Sequence, residues 1–333
     1  VILAQAALAK GAALEPYSYE PRELASTDIE VEISHCGLCF SDIHIIDDGW
    51  SRSKYPVVPG HEIVGKVALV GAAVTHLQVG QRVGIGWQRS ACLECDLCVS
   101  GQENLCPRQE ATCLGHHGGL ASRIRIDGRF AFALPEAIPS SAAAPLLCGG
   151  VTVYAPMRRY GVGATSSVAV IGIGGLGHMA LLMLRAMGAE ATAFSTSAAK
   201  RDEALAMGAS DFASSTDPKD LRRHFGRFDL VLSTVHARLD WTSYLQTLKP
   251  NGTLCLLGQP PGLIQFPPSL LITGQRSISG SDIGGRAAIR EMLRFVARHD
   301  IAPVIETMPM AEANAAITRL RQNQVRYRMV LER

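Results

Sequence analysis

Four cysteines fall within one short stretch, Cys92-x-x-Cys95-x-x-Cys98-x7-Cys106. Four thiolates at such spacing form the tetrahedral ligand set of a structural zinc ion. A metal also holds together a loop that has few apolar residues to bury. An iron–sulfur cluster uses comparable spacing, and four free thiols are the plain alternative. A second set is dispersed. Cys39 lies in Cys36-Gly37-Leu38-Cys39-Phe40-Ser41-Asp42-Ile43-His44, His61 in Gly60-His61-Glu62, and Cys148 just before Gly149-Gly150. A catalytic zinc takes three protein ligands and keeps one position open. Two thiolates and an imidazole would hold it at near-zero net charge. Any one of these residues alone reads more readily as structural, since a buried cysteine behaves as a small hydrophobe. Cys36-x-x-Cys39 also has the spacing of a redox pair.

A third constellation is Gly172-Ile173-Gly174-Gly175-Leu176-Gly177, a G-x-G-x-x-G that follows an apolar run and opens a helical one. In that context the glycines permit a tight turn, close approach of a pyrophosphate, and close helix–strand packing. The helix N-terminus then offers N–H groups to phosphate. A tight turn in a domain that binds no dinucleotide, or a methyltransferase fold, remains the alternative. The end of the next strand reads Phe194-Ser195-Thr196-Ser197-Ala198-Ala199-Lys200-Arg201. An NAD site places a carboxylate there, and none is present. Three hydroxyls and the cations Lys200 and Arg201 suit a 2′-phosphate instead, so NADP(H) is expected. The competing reading makes Ser197 a helix cap and the cations a solvated surface.

These groups need two kinds of scaffold. Residues 1–149 carry short β-branched runs and turn signals. Ile29 to Ile33 alternates apolar and charged residues, as a half-buried strand does. Val57, Val58, Ile63, Val64, Val67 and Val83 mark further short strands, and no clean helical period appears beside them. From Ser167 strands alternate with helices: strands at 168–171, 191–194, 230–233, 253–257 and 277–279, and helices at 176–187 and 197–207 that end at Gly188 and Gly208. Such alternation implies a doubly wound parallel sheet. A helix at about 286–299, then a strand, a helix and a final strand at 327–332, complete the chain. Pattern alone leaves open whether this tail extends the sheet or returns to the first half.

The 333 residues are enough for two domains. The formal net charge of +2 gives no electrostatic case for nucleic acid or an anionic membrane. No apolar run is long enough to span a bilayer. Val1 to Ala9 lacks the features of a signal peptide and reads as a first strand; the opening Val1 suggests a preceding initiator methionine. Nine cysteines, an odd number clustered as above, argue for metal binding in a reducing compartment rather than a disulfide framework. The cytoplasm is the expected location.

Together these residues resemble the zinc-dependent medium-chain dehydrogenases, within them the cinnamyl alcohol dehydrogenases and bacterial broad-range NADPH-dependent aldehyde reductases. The matching stretches are 35–39, 58–62, the Cys92–Cys106 loop, 145–152, 172–178, 194–197 and 325–328, in the same order along the whole chain. The resemblance implies an α/β protein with a mostly-β GroES-like catalytic domain (1–149 and 284–333) and an inserted Rossmann NADP domain (150–283). It implies two zinc ions per chain, NADP(H), a small-molecule aldehyde or alcohol as substrate, and a homodimer or homotetramer. Cys39, His61 and Cys148 become the catalytic zinc ligands and Cys36 does not; Cys92, Cys95, Cys98 and Cys106 become the structural site. Glu62 matches a carboxylate that approaches the zinc during ligand exchange, and Asp42 one that orients His61. Ser41 matches the hydroxyl that contacts the substrate oxygen, and His44 the outer end of its proton relay. Cofactor contacts fall on Thr152, Gly172, Gly174, Gly175, Leu176, Gly177, Ser195, Thr196, Ser197, Lys200, Arg201, Ser281 and Arg326. Trp50, Trp87 and Asp282 match the substrate pocket.

Some positions depart from the pattern. Phe40 stands where many relatives place a cation on the pyrophosphate. Asp282 stands where they place an apolar residue, and solvent exposure is its plain alternative. Cys113 and Cys255 read as buried, unreactive thiols, and His116-His117 as a loop beside a glycine turn. Three rival functions share parts of this pattern. A zinc-free enone reductase needs neither cysteine set. A zinc protein that senses NADPH without turnover, or binds nucleic acid, does not need the Ser41 and His44 pair. An NAD-dependent polyol dehydrogenase needs the acidic residue that Ser195 replaces.

Overall fold

A computed structural model describes all residues, 1–333. The chain folds into two compact units, Val1–Val151 with Ile283–Arg333, and Thr152–Asp282. No helix is long and apolar enough to cross a membrane.

The second unit holds a six-stranded sheet in which every neighbouring pair is parallel. Its spatial order is Asp211–Ser214, Glu190–Ser195, Ser167–Ile171, Phe228–Ser233, Leu248–Leu256, Ser277–Gly280. Numbered along the chain this is the order 3-2-1-4-5-6 of dinucleotide-binding folds. Buried on both faces, the central strands read as continuous apolar runs rather than alternating ones. The helix after the first strand spans Gly177–Met187 and ends on Gly188, whose φ of 77° is the left-handed conformation that favours glycine. The helix expected over 197–207 divides into a 3-10 turn, Ala198–Lys200, and an α-helix, Arg201–Ala206. The edge strand Asp211–Ser214 escapes sequence reading because it is only four residues long and polar at both ends. Phe194 packs edge-on against Tyr244, Phe228 and His224 at centroid distances of 5.6, 6.0 and 5.3 Å.

The first unit is built on a seven-stranded sheet. Its main path runs Ile305–Pro309, Arg328–Glu332, Asp28–Leu38, Glu62–Val70, Arg82–Ile85, Ala131–Ala133, and Arg123–Asp127 also pairs with Asp28–Leu38. The tail therefore returns: Met329 lies opposite Leu38 and Leu331 opposite Cys36 in an antiparallel ladder. Within Asp28–Leu38 the expected alternation holds for Ile29, Val31 and Ile33, all buried, and for exposed Glu32, but Glu30 is buried as well. Two arginines make that possible: Arg123 Nη1 donates to it at 2.9 Å and Arg125 Nε at 2.6 Å. Val57 and Val58 belong to no regular strand; Val57 makes one isolated bridge to Ala7 in the hairpin Ile2–Ala7/Leu14–Tyr19. A helix that sequence periodicity did not reveal, Phe40–Ile46, follows the long strand at once.

Phe194→Ala should cost the second unit about 3–5 kcal/mol, as loss of a fully buried ring does. Chemical denaturation followed by a probe in that unit would test this, and an unchanged midpoint would show that the ring cluster carries no such weight.

Candidate active site

The geometry starts at Asp42, fully buried at the third position of the helix Phe40–Ile46. Its Oδ2 accepts the Cys39 N–H at 2.9 Å. Its Oδ1 accepts the Gly60 N–H at 2.8 Å and lies 3.0 Å from His61 Nδ1. A carboxylate accepts, so Nδ1 carries a proton and Nε2 is the ring nitrogen left for a metal. That Nε2 is buried and has no hydrogen-bond partner. Gly60 adopts φ +101°, and a Cβ there would meet Cys36 Sγ at 2.6 Å, so only glycine allows this turn before His61.

Cys39, His61, Glu62 and Cys148 each offer one ligand atom, and the four atoms lie within 4.8 Å of one another. Cys36 is buried outside this group, its Sγ packed toward Gly60 and Gly119. Cys148 sits on a π-helical turn, Leu146–Gly150, that continues the helix Ser140–Pro145. Such turns re-aim side chains at functional sites. The hydrogen bond between the two thiols holds Cys39 well below its usual range and Cys148 above it. Two soft thiol ligands, an imidazole lone pair aimed inward and an adjacent carboxylate fit a zinc ion.

Glu62 brings a partner that the motifs did not single out. Arg328, buried on the last strand, donates from Nη2 to Glu62 Oε1, while Glu62 Oε2 has no hydrogen-bond partner. Burial pushes the Glu62 carboxyl up to about 7 against the pull of Arg328.

Ser41 and His44 lie one turn apart on the same helix, with Ser41 Oγ 3.7 Å from Cys39 Sγ. The Trp87 ring meets His61 edge-on at 5.0 Å, Trp50 meets Trp87 at 5.9 Å, and His44 lies 5.0 Å from Trp50. The two tryptophans thus form an aromatic wall beside His61. Cys113, fully buried, lies 3.7 Å from His61 Nδ1. Phe40 is 42% exposed, edge-on to His44 at 5.7 Å.

The four-cysteine loop forms a separate cluster. Its Sγ atoms stand 3.7 Å (Cys92–Cys98), 3.8 Å (Cys95–Cys106) and 3.5 Å (Cys92–Cys106) apart. Four thiolates bonded to one zinc at about 2.3 Å stand roughly 3.8 Å apart. The space between them suits one ion and is too small for a cluster of several irons. Backbone N–H groups of Cys95 and Arg108 point at Cys92 and Cys106 Sγ, each at 3.4 Å. The loop is tied to the helix Arg286–Arg298 by buried Glu103, which accepts from the Arg286 N–H at 3.0 Å and Nε at 2.7 Å.

In the second unit each glycine of the dinucleotide motif has its own task. Gly172 has φ +90°, a Cβ on Gly174 would meet nothing within 4 Å, and one on Gly177 would strike the Gly172 carbonyl. The loop thus offers an open backbone face above a tightly packed base. Gly175 and Leu176 complete it before the helix. Thr234 Oγ1 lies 2.9 Å from both the Ile171 and Gly172 carbonyls, and His178 Nδ1 lies 3.1 Å from Gly174 O. Neither residue was singled out by the motif. Lys200 Nζ donates to Ile173 O at 2.6 Å, which puts its charge beside the loop. Buried Ser195 accepts the Ser197 N–H at 3.2 Å, and the Ser197 side chain does not cap the turn that follows. Thr196 and Arg201 are exposed, and Arg201 packs over the Phe212 ring. Thr152 lies on the helix Val151–Arg159, and Ser281 and exposed Asp282 follow the last strand of this sheet. Arg326, exposed in the first unit, donates its N–H to Glu306 at 2.6 Å.

Residues 25–136 match the alcohol dehydrogenase GroES-like domain, and residues 175–298 the zinc-binding dehydrogenase family. The aldehyde reductase AdhA of Synechocystis sp. is 44% identical over 99% of this chain and 98% of its own length. The chain belongs to the zinc-dependent medium-chain alcohol dehydrogenases, in their cinnamyl alcohol dehydrogenase-like branch. Solved structures agree. A cinnamyl alcohol dehydrogenase of Sorghum bicolor superposes with a TM-score of 0.96 at 36% identity, covering 100% of this chain and 98% of that one. A CAD from Helicobacter pylori complexed with NADP(H) gives 0.92 at 32% identity, covering 99% and 97%. This dehydrogenase is an enzyme of aldehyde and alcohol redox chemistry that uses zinc and NADP(H).

Asp42→Asn keeps the shape of the hub but removes its charge. It should weaken zinc at the Cys39, His61, Cys148 set about 10–100-fold, the usual cost of losing such a supporting carboxylate. Competition with a chromogenic chelator would measure this. Equal retention of both zinc ions would show that Asp42 does not orient His61.

Proposed function

We propose that this dehydrogenase mainly reduces aldehydes, aromatic ones included, to primary alcohols with NADPH: aldehyde, NADPH and a proton give alcohol and NADP⁺. Cys39, His61 and Cys148 hold the catalytic zinc, and Cys92, Cys95, Cys98 and Cys106 the structural one. When bound, zinc supplies Lewis acidity toward the carbonyl oxygen and the nicotinamide supplies hydride. Asp42 keeps His61 in the ligating tautomer, and Glu62 stands by as an exchangeable carboxylate. Ser41 holds the proton that the substrate oxygen takes, and His44 replenishes it. Trp50 and Trp87 offer flat apolar surface to an aromatic aldehyde. Gly172, Gly174, Gly175, Leu176 and Gly177 cradle the pyrophosphate. Ser195, Thr196, Ser197, Lys200 and Arg201 receive the 2′-phosphate, while Thr152 and Ser281 line the nicotinamide end.

The observation that carries this reading is the buried, unpartnered Nε2 of His61, grouped with two thiols and Glu62. A purely structural histidine in that setting would leave a polar atom unsatisfied at a cost of about 1–3 kcal/mol.

We infer further that the enzyme is a cytoplasmic homodimer or homotetramer. All nine cysteines are free, as a reducing compartment keeps them. The edge strand Ser277–Gly280 pairs on one side only, and Leu263 and Ile272 are 86% and 76% exposed in the same unit.

Three measurements test the proposal. Purified enzyme should oxidise NADPH faster than NADH on an aromatic aldehyde, and Cys39→Ser should lower bound zinc from two toward one per chain and abolish turnover. Zinc and NADPH binding without turnover of any aldehyde would favour the sensor reading. Ser195→Asp should cut the NADPH-over-NADH preference about tenfold or more, because like charges set together cost several kcal/mol; an unchanged ratio would place the 2′-phosphate elsewhere. Sedimentation velocity should give a dimer or tetramer that Ile272→Asp weakens, and a wild-type monomer would reject the assembly.

A further inference from the structure

We propose that the first unit carries a second ligand site, for a small organic oxyanion, in a cavity floored by Arg89. The cavity has a volume of about 300 Å³, and its walls include Tyr19, Arg22, Lys54, Arg89, His116 and His117. None of the residues that group around a metal lines it. Its size falls at the lower end of small-molecule sites.

Two of the arginines on its walls are already satisfied. Arg22 forms a two-pronged pair with Asp28, one prong at 2.8 Å. Arg125 donates to Glu30 at 2.6 Å. Arg89 has no such partner. Its side chain is 10% exposed, and the nearest carboxylate, Glu110, stands 4.0 Å away. That carboxylate already accepts from Ser90 Oγ at 2.8 Å and lies 3.4 Å from His116 Nε2. The one hydrogen bond Arg89 makes is a long one, Nη2 to Arg125 O at 3.4 Å. A guanidinium has five N–H donors, so most of these meet no protein acceptor and face the solvent of the cavity. Burial accordingly lowers the Arg89 pKa. Glu110, at 4.0 Å, is a distant partner for a cation with so little exposed surface, and an oxyanion seated on the planar fork would add the close partner that Arg89 lacks.

A second observation is independent of Arg89. His117 lines the cavity. Its ring packs on Tyr19 at 4.2 Å and edge-on to Tyr17 at 5.7 Å. The cavity thus joins a weakly paired cation to an aromatic wall, with Ile2, Pro56 and Ile124 adding apolar surface. Lys54, exposed on the lining, makes no ion pair and adds a further positive charge. This chemistry suits a carboxylate or phosphate carried on an apolar or aromatic body. Either headgroup would use the same fork.

The test titrates the zinc-loaded full chain with benzoate, phenyl phosphate and inorganic phosphate by calorimetry. At least one organic anion should bind with a Kd of about 1 mM or tighter, a free energy near −4 kcal/mol. Benzoate alone binding would identify a carboxylate site, and phenyl phosphate alone a phosphate site. Arg89→Met should weaken binding about tenfold or more and Lys54→Glu severalfold, with kcat and KM for aldehyde unchanged in both. Should Arg89→Met fail to fold, Lys54→Glu on the exposed rim carries the same test. Absence of binding by every anion overturns the proposal. So does a Kd that neither substitution changes, which would put the anion at the zinc, and so does inorganic phosphate binding as tightly as phenyl phosphate.

Discussion

The first unit depends on one buried carboxylate. Asp42 accepts from the Cys39 N–H, the Gly60 N–H and His61 Nδ1 together, so a single side chain joins the start of a helix to a turn nearly twenty residues on. Each bond has a separate consequence. The first fixes the backbone at Cys39, where strand gives way to helix. The second holds the left-handed turn at Gly60. The third sets the His61 tautomer. An anion buried without these donors would cost several kcal/mol; with them it organises the ligands instead. The helix it belongs to has only seven residues, too short for stability of its own. The fold keeps that helix because Asp42 bonds at its start while Ile43, Ile45 and Ile46 are buried.

The two units solve their problems by different means. The cofactor unit is a continuous apolar sheet whose strength comes from side chains such as Phe194, Val231 and Leu254. Its active loop is an interruption of that sheet, and glycine is required where a Cβ would strike Val235 or the Gly172 carbonyl. The loop at Cys92–Cys106 contains no comparable core. Its order comes from four converging sulfur atoms and from the buried Glu103–Arg286 pair. Removing the metal would therefore loosen that loop far more than it would disturb the sheet behind it.

Much of this was legible in residue types. The glycine motif, the missing carboxylate at Ser195 and the four close cysteines each carry their chemistry in local spacing, and local spacing survives folding. The parallel sheet was legible for the same reason, since its buried strands are apolar runs set between helices. What stayed hidden depends on distant partners. Phe40–Ile46 shows no helical period because its β-branched isoleucines read as strand, and Asp42, which fixes its start, needs Gly60 and His61 to do so. Glu30 reads as solvent-facing until Arg123 and Arg125 arrive from a strand more than ninety residues on. Val57 and Val58 read as strand because they are β-branched, yet their backbone serves the turn into the Gly60 loop, where Gly118 N–H bonds to Val58 O.

Arg328 is the clearest case of a residue whose meaning only the fold supplies. It stands 266 positions from Glu62, and the antiparallel pairing of Arg328–Glu332 with Asp28–Leu38 brings the two together. Without it Glu62 would be a buried charge beside two thiols, and the carboxylate would give up its charge before it could ligate a cation. Pairing leaves one oxygen, Oε1, on the arginine and the other, Oε2, without a hydrogen-bond partner. Burial still holds the carboxyl up at about 7, and Arg328 keeps it from rising further while Oε2 is left for a metal. The last strand therefore does more than close the sheet. It carries the positive charge that lets an acid sit beside Cys39, His61 and Cys148, so this cluster is electrically complete only when the tail has folded back onto the strand at its base.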